Sequence, residues 1–446
     1  MPDAQTTPIH DVVVIGAGAM GLAAAHHVAK SGASTLVLEA GNIPGGMAAH
    51  FDFDGVSLER FYHFVCKTDQ DTFDLMAELG ISDQMVWKET SMGYFTRGKL
   101  HDWGNPVALL KYPHLNPIEK FRYGLMAWWC TKRKSWGPAE SMTAPDWFRA
   151  WLGESCYQKM WHRLLYLKLF QFTDVVSATW IATRIQRIGR SRKSLLQEQL
   201  GHIAGGTQTL VDALCKSISS NGGEIRCSAP VAQIEAGEDN LKTVRCADGS
   251  EVRAREVIST VPTPLVSAMI PQLSEDEKSK LDAIENIGVV CLVYKLKRKV
   301  TGHFWLNIID EDHPIPGLIE FSALRDFGDE TIVYAPYYMP VDNPRWAWTD
   351  EALLDEAFET MKAVNPDLTE ADVLTRQAAR LVHSQPICTP NFLDKLPAVD
   401  TTVPGVQVAD TCYYYPEDRG ISESVGFAKG MAATALGRLR QNGEDH

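Results

Sequence analysis

The first wholly apolar segment is Val12-Val13-Val14-Ile15, short and β-branched, the pattern of a strand covered on both faces. An alanine-rich stretch from 20 to 30 has the spacing of a helix, and 34 to 38 is a second apolar run. Gly16, Gly18 and Gly21 lead into that helix and Gly32 follows it, so the opening order is strand, turn, helix, strand. Residues 96 to 204 lack strand alternation, and helices are predicted over 118–130, 144–152, 156–170 and 177–190. Strand-like runs return at 289–296 and 331–338. Residues 350–364 are amphipathic with acids early, and Asn365-Pro366 stops them. No apolar stretch reaches the roughly 18 to 20 residues of a membrane span.

The glycine spacing carries chemistry. Gly16-Ala17-Gly18-Ala19-Met20-Gly21 sits between strand and helix, and Glu39 closes the second strand. Gly16 permits a tight turn, Gly18 admits backbone close to a pyrophosphate, and Gly21 lets helix and strand pack closely. The helix start offers free N–H groups and positive dipole to phosphate, and Glu39 suits ribose hydroxyls. This constellation predicts a bound dinucleotide. Ala40 and then Gly45-Gly46-Met47 follow the acid, and a double glycine there favours FAD over NAD. No second fingerprint of this kind occurs, so no NAD(P)H domain is expected and reoxidation falls to an external acceptor, O₂ or a quinone.

The 446 residues carry 43 Lys/Arg and 56 Asp/Glu, a net charge of −13. Such a length favours two domains, and acidity argues against nucleic acid as a partner. The charge is uneven: residues 97 to 193 hold 17 Lys/Arg against 6 Asp/Glu, and most of the 12 tryptophans lie between 87 and 180. A basic, tryptophan-rich segment inside an acidic chain is a clue to a partner. Nine cysteines without a Cys-x-x-Cys pair read as reduced thiols rather than disulfides or zinc ligands. The first ten residues lack the cationic flank and apolar core of a signal peptide, so a cytoplasmic protein is expected.

Four blocks resemble the superfamily of flavin amine oxidases, protoporphyrinogen oxidases, phytoene desaturases and UDP-galactopyranose mutases. They are the fingerprint with its double glycine; Gly205-Gly206-Thr207-Gln208 with Gly222-Gly223-Glu224-Ile225 and Pro230-Val231; Glu256 to Pro262; and Gly405 to Asp410 with Gly420-Ile421-Ser422-Glu423. Glu59-Arg60-Phe61-Tyr62-His63-Phe64 and Phe304-Trp305-Leu306-Asn307-Ile308 are similar to its bacterial protoporphyrinogen-oxidase-like branch. Met47, where many amine oxidases carry Arg, and Ala409-Asp410 in place of Gly-Asp set the chain apart from true amine oxidases.

The resemblance implies an α/β fold with a discontinuous Rossmann-like FAD-binding domain over 1–95, 205–285 and 390–446. A mixed α+β substrate domain with a helical insert would take 96–204 and 286–389. It implies FAD contacts at Gly16, Gly18, Ala19, Met20, Gly21, Glu39, Ala40, Gly45, Gly46 and Met47, at Val231 through its backbone to adenine, and at Asp410 to the ribityl or pyrophosphate part. Gly420, Ile421 and Ser422 would open a helix aimed at the flavin N1–C2=O edge, where its dipole stabilises developing negative charge.

His63, Arg60 and Tyr415 are the candidate catalytic groups. His63 follows the double glycine where the family's chain passes the isoalloxazine, and competes with a structural histidine. Arg60 suits FAD phosphate or substrate. Tyr415 belongs to the run Tyr413 to Arg419 before the flavin-facing helix. Glu320-Phe321-Ser322-Ala323, where the branch often has Glu-His-Thr-Asn, implies a changed pocket. Lys295 lies where some amine oxidases keep a lysine near flavin N5, although strand lysines commonly face solvent.

Residues 118–136 read in three ways: a peripheral helix on anionic membrane, a cap whose cations hold a phosphorylated substrate, or a core helix with a basic end. No P-loop, metal-ligand cluster or Ser-His-Asp arrangement is apparent. The expectation is an FAD-dependent oxidoreductase transferring hydride from a substrate C–H or C–N carbon to flavin N5. Its small-molecule or lipid-linked substrate would be a glycan, nucleotide sugar, isoprenoid or natural-product intermediate. The rivals are a mutase resembling UDP-galactopyranose mutase that uses reduced flavin, a flavin amine oxidase, and a non-enzymatic prenyl-binding protein resembling GDP-dissociation inhibitors.

Overall fold

A computed structural model describes residues 8–444 except 238; the expectation for the N-terminus falls largely on 1–7, outside the described residues. The first apolar run forms Ile9–Ile15, at the centre of a seven-stranded sheet. Thr35–Leu38 and Glu251–Ser259 pair with it in parallel on either side. Glu224–Arg226 extends the first flank, and Val406–Val408 runs parallel to Glu251–Ser259. The antiparallel pair Val231–Ala236 and Lys242–Cys246 closes the other edge. Val12 and Val14 pack among Ala19–Lys30, Thr207–Ser220 and Ile421–Glu444. Val13 and Ile15 pack on the opposite layer with Met269, Ile270 and Leu281. Both faces are covered, as a run with no polar position requires.

A second seven-stranded sheet has the order Val373–Pro386, Asn286–Leu296, Thr331–Met339, Gly317–Glu320, Trp305–Ile308, Met92–Thr96, Lys99–Trp103. Its neighbours are antiparallel except Trp305–Ile308 beside Met92–Thr96. Asp350–Val364 covers one face, packing Leu353 and Phe358 against Val290 and Tyr294. The hairpin His50–Phe53/Val56–Glu59 packs on the other through Phe53 and Leu58. Helices Pro117–Lys132, Ala144–Leu152 and Ala178–Arg190 form the insert, each with a side-chain cap from Asn116, Thr143 or Ser177.

Two expectations need correction. Residues 96 to 204 are not free of strands: Lys99–Trp103 pairs with Met92–Thr96, and Glu198–Ile203 with Met85–Thr90. Lys99–Trp103 is an edge strand largely exposed on both faces, so it leaves little alternation to read. The helix expected over 156–170 is interrupted by a π-helical stretch, Gln158–His162. The expected break at 95 falls inside Met92–Thr96, a strand of the second sheet. All nine cysteines are free thiols. Among the described residues no helix is long and apolar enough to cross a membrane.

Glu320, 2% exposed, organises a turn of the second sheet. Its Oε2 accepts from the N–H groups of Val300, Thr301 and Gly302 at 3.1, 2.7 and 3.0 Å. Glu320→Ala leaves these donors without their acceptor and is expected to cost about 3 kcal/mol, read as a lower urea midpoint.

Candidate cofactor and substrate site

Two glycine turns meet at the end of Ile9–Ile15. Gly16 has φ 95°, in the left-handed region, and a Cβ on Gly21 would stand 1.8 Å from Gly16 O. The Gly45 N–H donates to Ala17 O at 2.7 Å, and a Cβ on Gly46 would stand 3.0 Å from Gly18 Cα. Above Gly18 there is open space, with nothing within 4 Å of where a Cβ would lie. That space adjoins the start of Ala19–Lys30, which has no side-chain cap and so leaves its first N–H groups free. Met20 is buried beneath it, Ala19 half-buried.

Glu39 is held by two backbone donors, Ala17 N–H on Oε2 and Gly41 N–H on Oε1, each 2.7 Å. Each oxygen keeps a lone pair for a ribose hydroxyl. Ala40 beside it is exposed. Ser228 N–H donates to Gly41 O and Ala229 N–H to Glu39 O, both 2.8 Å, which brings the segment leading into Val231 alongside the acid. Asp410 accepts from Thr263 N–H at 2.7 Å and Oγ1 at 2.6 Å, and from Cys412 N–H at 2.8 Å. Gly420, Ile421 and Ser422 open the 24-residue helix Ile421–Glu444. The open cradle over Gly18, the uncapped helix start and the fixed acid fit FAD.

Gly46 and Met47 line a cavity of about 430 Å³ with Arg60, Phe61, Phe51, Val293 and 377–381. The Arg60 guanidinium has no ion-pair partner among the described residues, whereas Arg380 in the same cavity is bonded to Asp350 and to the carbonyls of Trp346 and Trp348. His63 is enclosed; burial pushes its pKa down against the pull of Glu59, so it is held neutral, with Nδ1 lacking a partner. The Tyr415 hydroxyl is spent on Ser177 Oγ at 2.7 Å and on Thr179 Oγ1, and its ring packs on Phe392. Lys295 is tied to Asp54 at 3.1 Å and Glu330 at 2.9 Å, a structural ion pair rather than a group beside flavin. His26, His27 and Glu78 come together, with Lys30 on the same Glu78 oxygen at 2.6 Å.

The sequence reading passed over a group of enclosed charges between the insert and the loop before Gly420. Arg184 of Ala178–Arg190 pairs with Asp418 and donates to Gln385 Oε1 at 3.2 Å. Arg419 donates to Ser384 and, at 3.2 Å, to the Tyr338 hydroxyl. The Lys168 ammonium lies 4.7 Å from the Tyr338 ring centre. Burial raises the Asp418 carboxyl, but Arg184, Lys168 and Arg419 outweigh it and hold it down at about 2. Burial, then Arg184, pushes Lys168 well below the usual lysine range. These side chains are surrounded by protein yet keep some accessible surface, as groups lining an interior cleft do. Sequence offers no signal that joins them: Lys168 and Arg184 sit on different helices that each carry other cations, such as Arg163 and Arg187. Nearby, Glu423 in the first turn of the long helix has a buried Oε2 without a partner; burial, opposed by Arg187, pushes its pKa up to about 7.

A parallel strand–turn–helix unit with a fixed ribose acid, beside a second sheet and an enclosed charged cleft, defines an FAD-binding oxidoreductase fold. The sequence model for flavin-containing amine oxidoreductases matches residues 21–409, and the chain belongs to that family. It is therefore an FAD-dependent oxidoreductase. It is 23% identical over 437 residues to a 15-cis-phytoene desaturase of Solanum lycopersicum, spanning 90% of this chain and 71% of the relative. Among solved structures it is similar to a chain from Exiguobacterium sp. 255-15 assigned as a protoporphyrinogen oxidase, with TM-score 0.76, 18% identity, and 96% of this chain and 99% of that chain covered. It is also similar to reduced UDP-galactopyranose mutase, with TM-score 0.73, 17% identity and 96% of each chain covered. These solved structures show the fold.

Two outcomes are expected. Gly21→Ala forces a methyl onto Gly16 O and costs about 3 kcal/mol or more, read as a lower melting temperature and a fall in bound flavin per chain. The folded Glu423 keeps its proton up to about 7, while the unfolded chain releases it near 4.5, so wild type loses stability as pH rises between them. Glu423→Gln is expected to match wild type below 4.5 and to be about 3 kcal/mol more stable above 7, read from melting curves across pH.

Proposed function

We propose that this enzyme removes hydride from a C–H or C–N carbon of an anionic or lipid-like substrate. The observation that carries this reading is the enclosed cleft where Lys168, Arg184 and Arg419 outnumber Asp418 immediately before Gly420. Bound FAD supplies the hydride acceptor, and the protein supplies position and electrostatics. In this reading the first sheet with its helices holds the cofactor, with boundaries near 1–95, 205–285 and 390–446, and 96–204 with 286–389 holds the substrate. Arg184 and Arg419 orient the anionic end of the substrate, and aromatic walls at Trp180, Tyr338 and Tyr62 exclude water. His63 borders the same region from the hairpin side, and Arg60 lines the cavity beside Gly46 and Met47. O₂ or a quinone serves as external acceptor.

Anaerobic mixing of the oxidised holoenzyme with phosphorylated isoprenoids, nucleotide sugars, porphyrinogens and amines tests this. Bleaching of the flavin by an anionic or lipid-like compound is expected, with none by simple amines. Bleaching by amines alone overturns the reading. Turnover of a nucleotide sugar only after prior flavin reduction, with no net oxidation, would replace it by the mutase reading.

The insert also supports peripheral membrane contact. Ile118, Phe121, Leu125 and Trp128 recur at helical intervals on one side of Pro117–Lys132, with Ile118 71% and Phe121 70% exposed. Tyr123, Met126 and Cys130 on the other side are buried. Leu110 continues the exposed stripe, and Lys111, Lys132, Arg133 and Lys134 flank it, exposed. An apolar stripe edged with cations suits an anionic lipid surface. Wild type is expected to float with phosphatidylserine vesicles, and Phe121→Ser with Trp128→Ser to remain in the pellet fraction; no flotation of wild type at moderate salt overturns the membrane contact.

A further inference from the structure

The enclosed cleft holds a charge imbalance that the protein itself does not resolve. Lys168 on Arg163–Leu169, Arg184 on Ala178–Arg190 and Arg419 before Gly420 face one carboxylate, Asp418. With all three cations charged, the group carries two more positive than negative charges. Asp418 pairs with Arg184, and Arg419 is occupied by Ser384 and the Tyr338 hydroxyl. Two donors are left over. The Arg184 Nε is buried without an acceptor among the described residues. The Lys168 ammonium has no hydrogen-bond or ion-pair partner among the described residues, and meets only the faces of Tyr338 at 4.7 Å and Trp180 at 5.6 Å.

Aromatic faces attract a cation by about 2 kcal/mol at best, and they do not accept its hydrogen bonds as an oxygen does. A buried guanidinium N–H without an acceptor is costly, and so is a part-exposed ammonium held beside two other cations, unless an anion arrives to satisfy them. The other occupants of an interior site do not meet this need. Water would satisfy donors but leave the charge, and a single carboxylate would leave one positive charge unmatched. A phosphate dianion or a diphosphate matches both the surplus charge and the number of free donors, with lysine acting as a point charge and arginine as a planar donor.

We propose that Lys168, Arg184 and Arg419 form a receptor for the phosphate or diphosphate group of the substrate. This rests on the reading of an anionic substrate and narrows it to a phosphorylated one. The receptor lies beside Gly420–Ser422, whereas the cradle over Gly18 at the start of Ala19–Lys30 serves the cofactor's own pyrophosphate, so the two anion sites are separate. The depressed pKa of Lys168 agrees with an arrangement completed by ligand: the groups facing it are Arg184, Asp418, Arg419 and Tyr338, and among them only Asp418 favours its charge. Arrival of the anion favours the charged ammonium, so binding takes up a proton.

The test is calorimetric titration of the oxidised FAD-loaded enzyme with inorganic pyrophosphate, and separately with acetate, at constant ionic strength. Pyrophosphate is expected to bind and acetate not to saturate. Arg184→Gln and Lys168→Met should each weaken pyrophosphate at least about tenfold, the loss of one charge-assisted contact, while Lys99→Gln on the exposed edge strand Lys99–Trp103 leaves affinity unchanged. Titrations in two buffers of different ionisation heat should show proton uptake in wild type and none in Lys168→Met. Flavin absorbance per chain reports whether each variant is folded and loaded; where Lys168→Met loses flavin, Lys168→Arg, which keeps the charge, should restore both flavin and affinity. Absence of pyrophosphate binding, wild-type affinity in both cleft variants, or equal binding of acetate overturns the receptor. Flavin bleaching by an unphosphorylated anionic lipid in an enzyme that ignores pyrophosphate would overturn the receptor and leave the broader reading standing.

Discussion

Gly45 N–H reaches Ala17 O at 2.7 Å because neither turn carries a side chain where the two backbones cross. That contact sets the geometry of both halves of the molecule. On one side it holds the Gly16–Gly18 turn against the uncapped start of Ala19–Lys30. On the other it fixes the entry to the hairpin His50–Phe53/Val56–Glu59. Glu59, 2% exposed, then links three segments: its carboxylate accepts from Thr207 N–H at 3.2 Å and Arg325 at 3.4 Å, and its carbonyl accepts from the Tyr334 hydroxyl at 2.7 Å. His50 adds Thr207 Oγ1 at 3.0 Å, and a Cβ on Gly206 would stand 2.4 Å from its ring. The close approach of two glycine turns is thereby transmitted through buried polar bonds to the second sheet.

This linkage explains why residues adjacent in sequence divide so sharply in role. Within Glu59 to His63, Glu59 is a structural anchor, Arg60 is a cation without an ion-pair partner at a cavity wall, Tyr62 is enclosed beside Tyr338 with its hydroxyl pKa raised by burial, and His63 is held neutral. Burial opposes charge at Tyr62 and at His63. Glu59 keeps its charge because His50 and Arg325 stand against it, and the result is a carboxyl held below its ordinary value despite burial.

The cofactor half was largely legible because its requirements are local. Close backbone approach demands glycine at defined spacing, burial on both faces demands an unbroken apolar run, and both are written in consecutive residues from Val12 to Glu39. The helices of the insert were legible for the same reason: Asn116, Thr143 and Ser177 are caps that precede periodic segments. The second sheet and its surroundings were less so. Val373–Pro386 alternates poorly because it borders the sheet and carries Arg376, Gln377 and Arg380 among its apolar positions. Lys168, Arg184 and Asp418 converge from three distant segments, and no spacing rule joins residues brought together only by packing of two helices on a loop. Tyr415 precedes the long helix Ile421–Glu444 in sequence, but its hydroxyl turns to Ser177 and Thr179, a direction that depends on the insert's own position.

The basic stretch from 97 to 193 illustrates how little the sign of a charge says before its surroundings are known. Arg122 donates to the carbonyls of Trp151 and Ala150, Arg190 to those of Thr131 and Arg133, and Arg192 to Gly104 and Leu195. These cations satisfy helix ends and turns, and their charge serves the fold. Lys159 and Arg187 are neutralised by Glu119 and Asp69. Beyond such pairs stand two groups of cations. One is exposed beside an apolar stripe at 111 and 132–134. The other is Lys168 with Arg184, where Asp418 answers Arg184 and Lys168 has no ion-pair partner among the described residues, and where removing charge from water is expensive. A helical insert that needed cations merely for solubility would have placed them all outside, and the interior pair is therefore the part of the surplus that must be explained by chemistry rather than by folding.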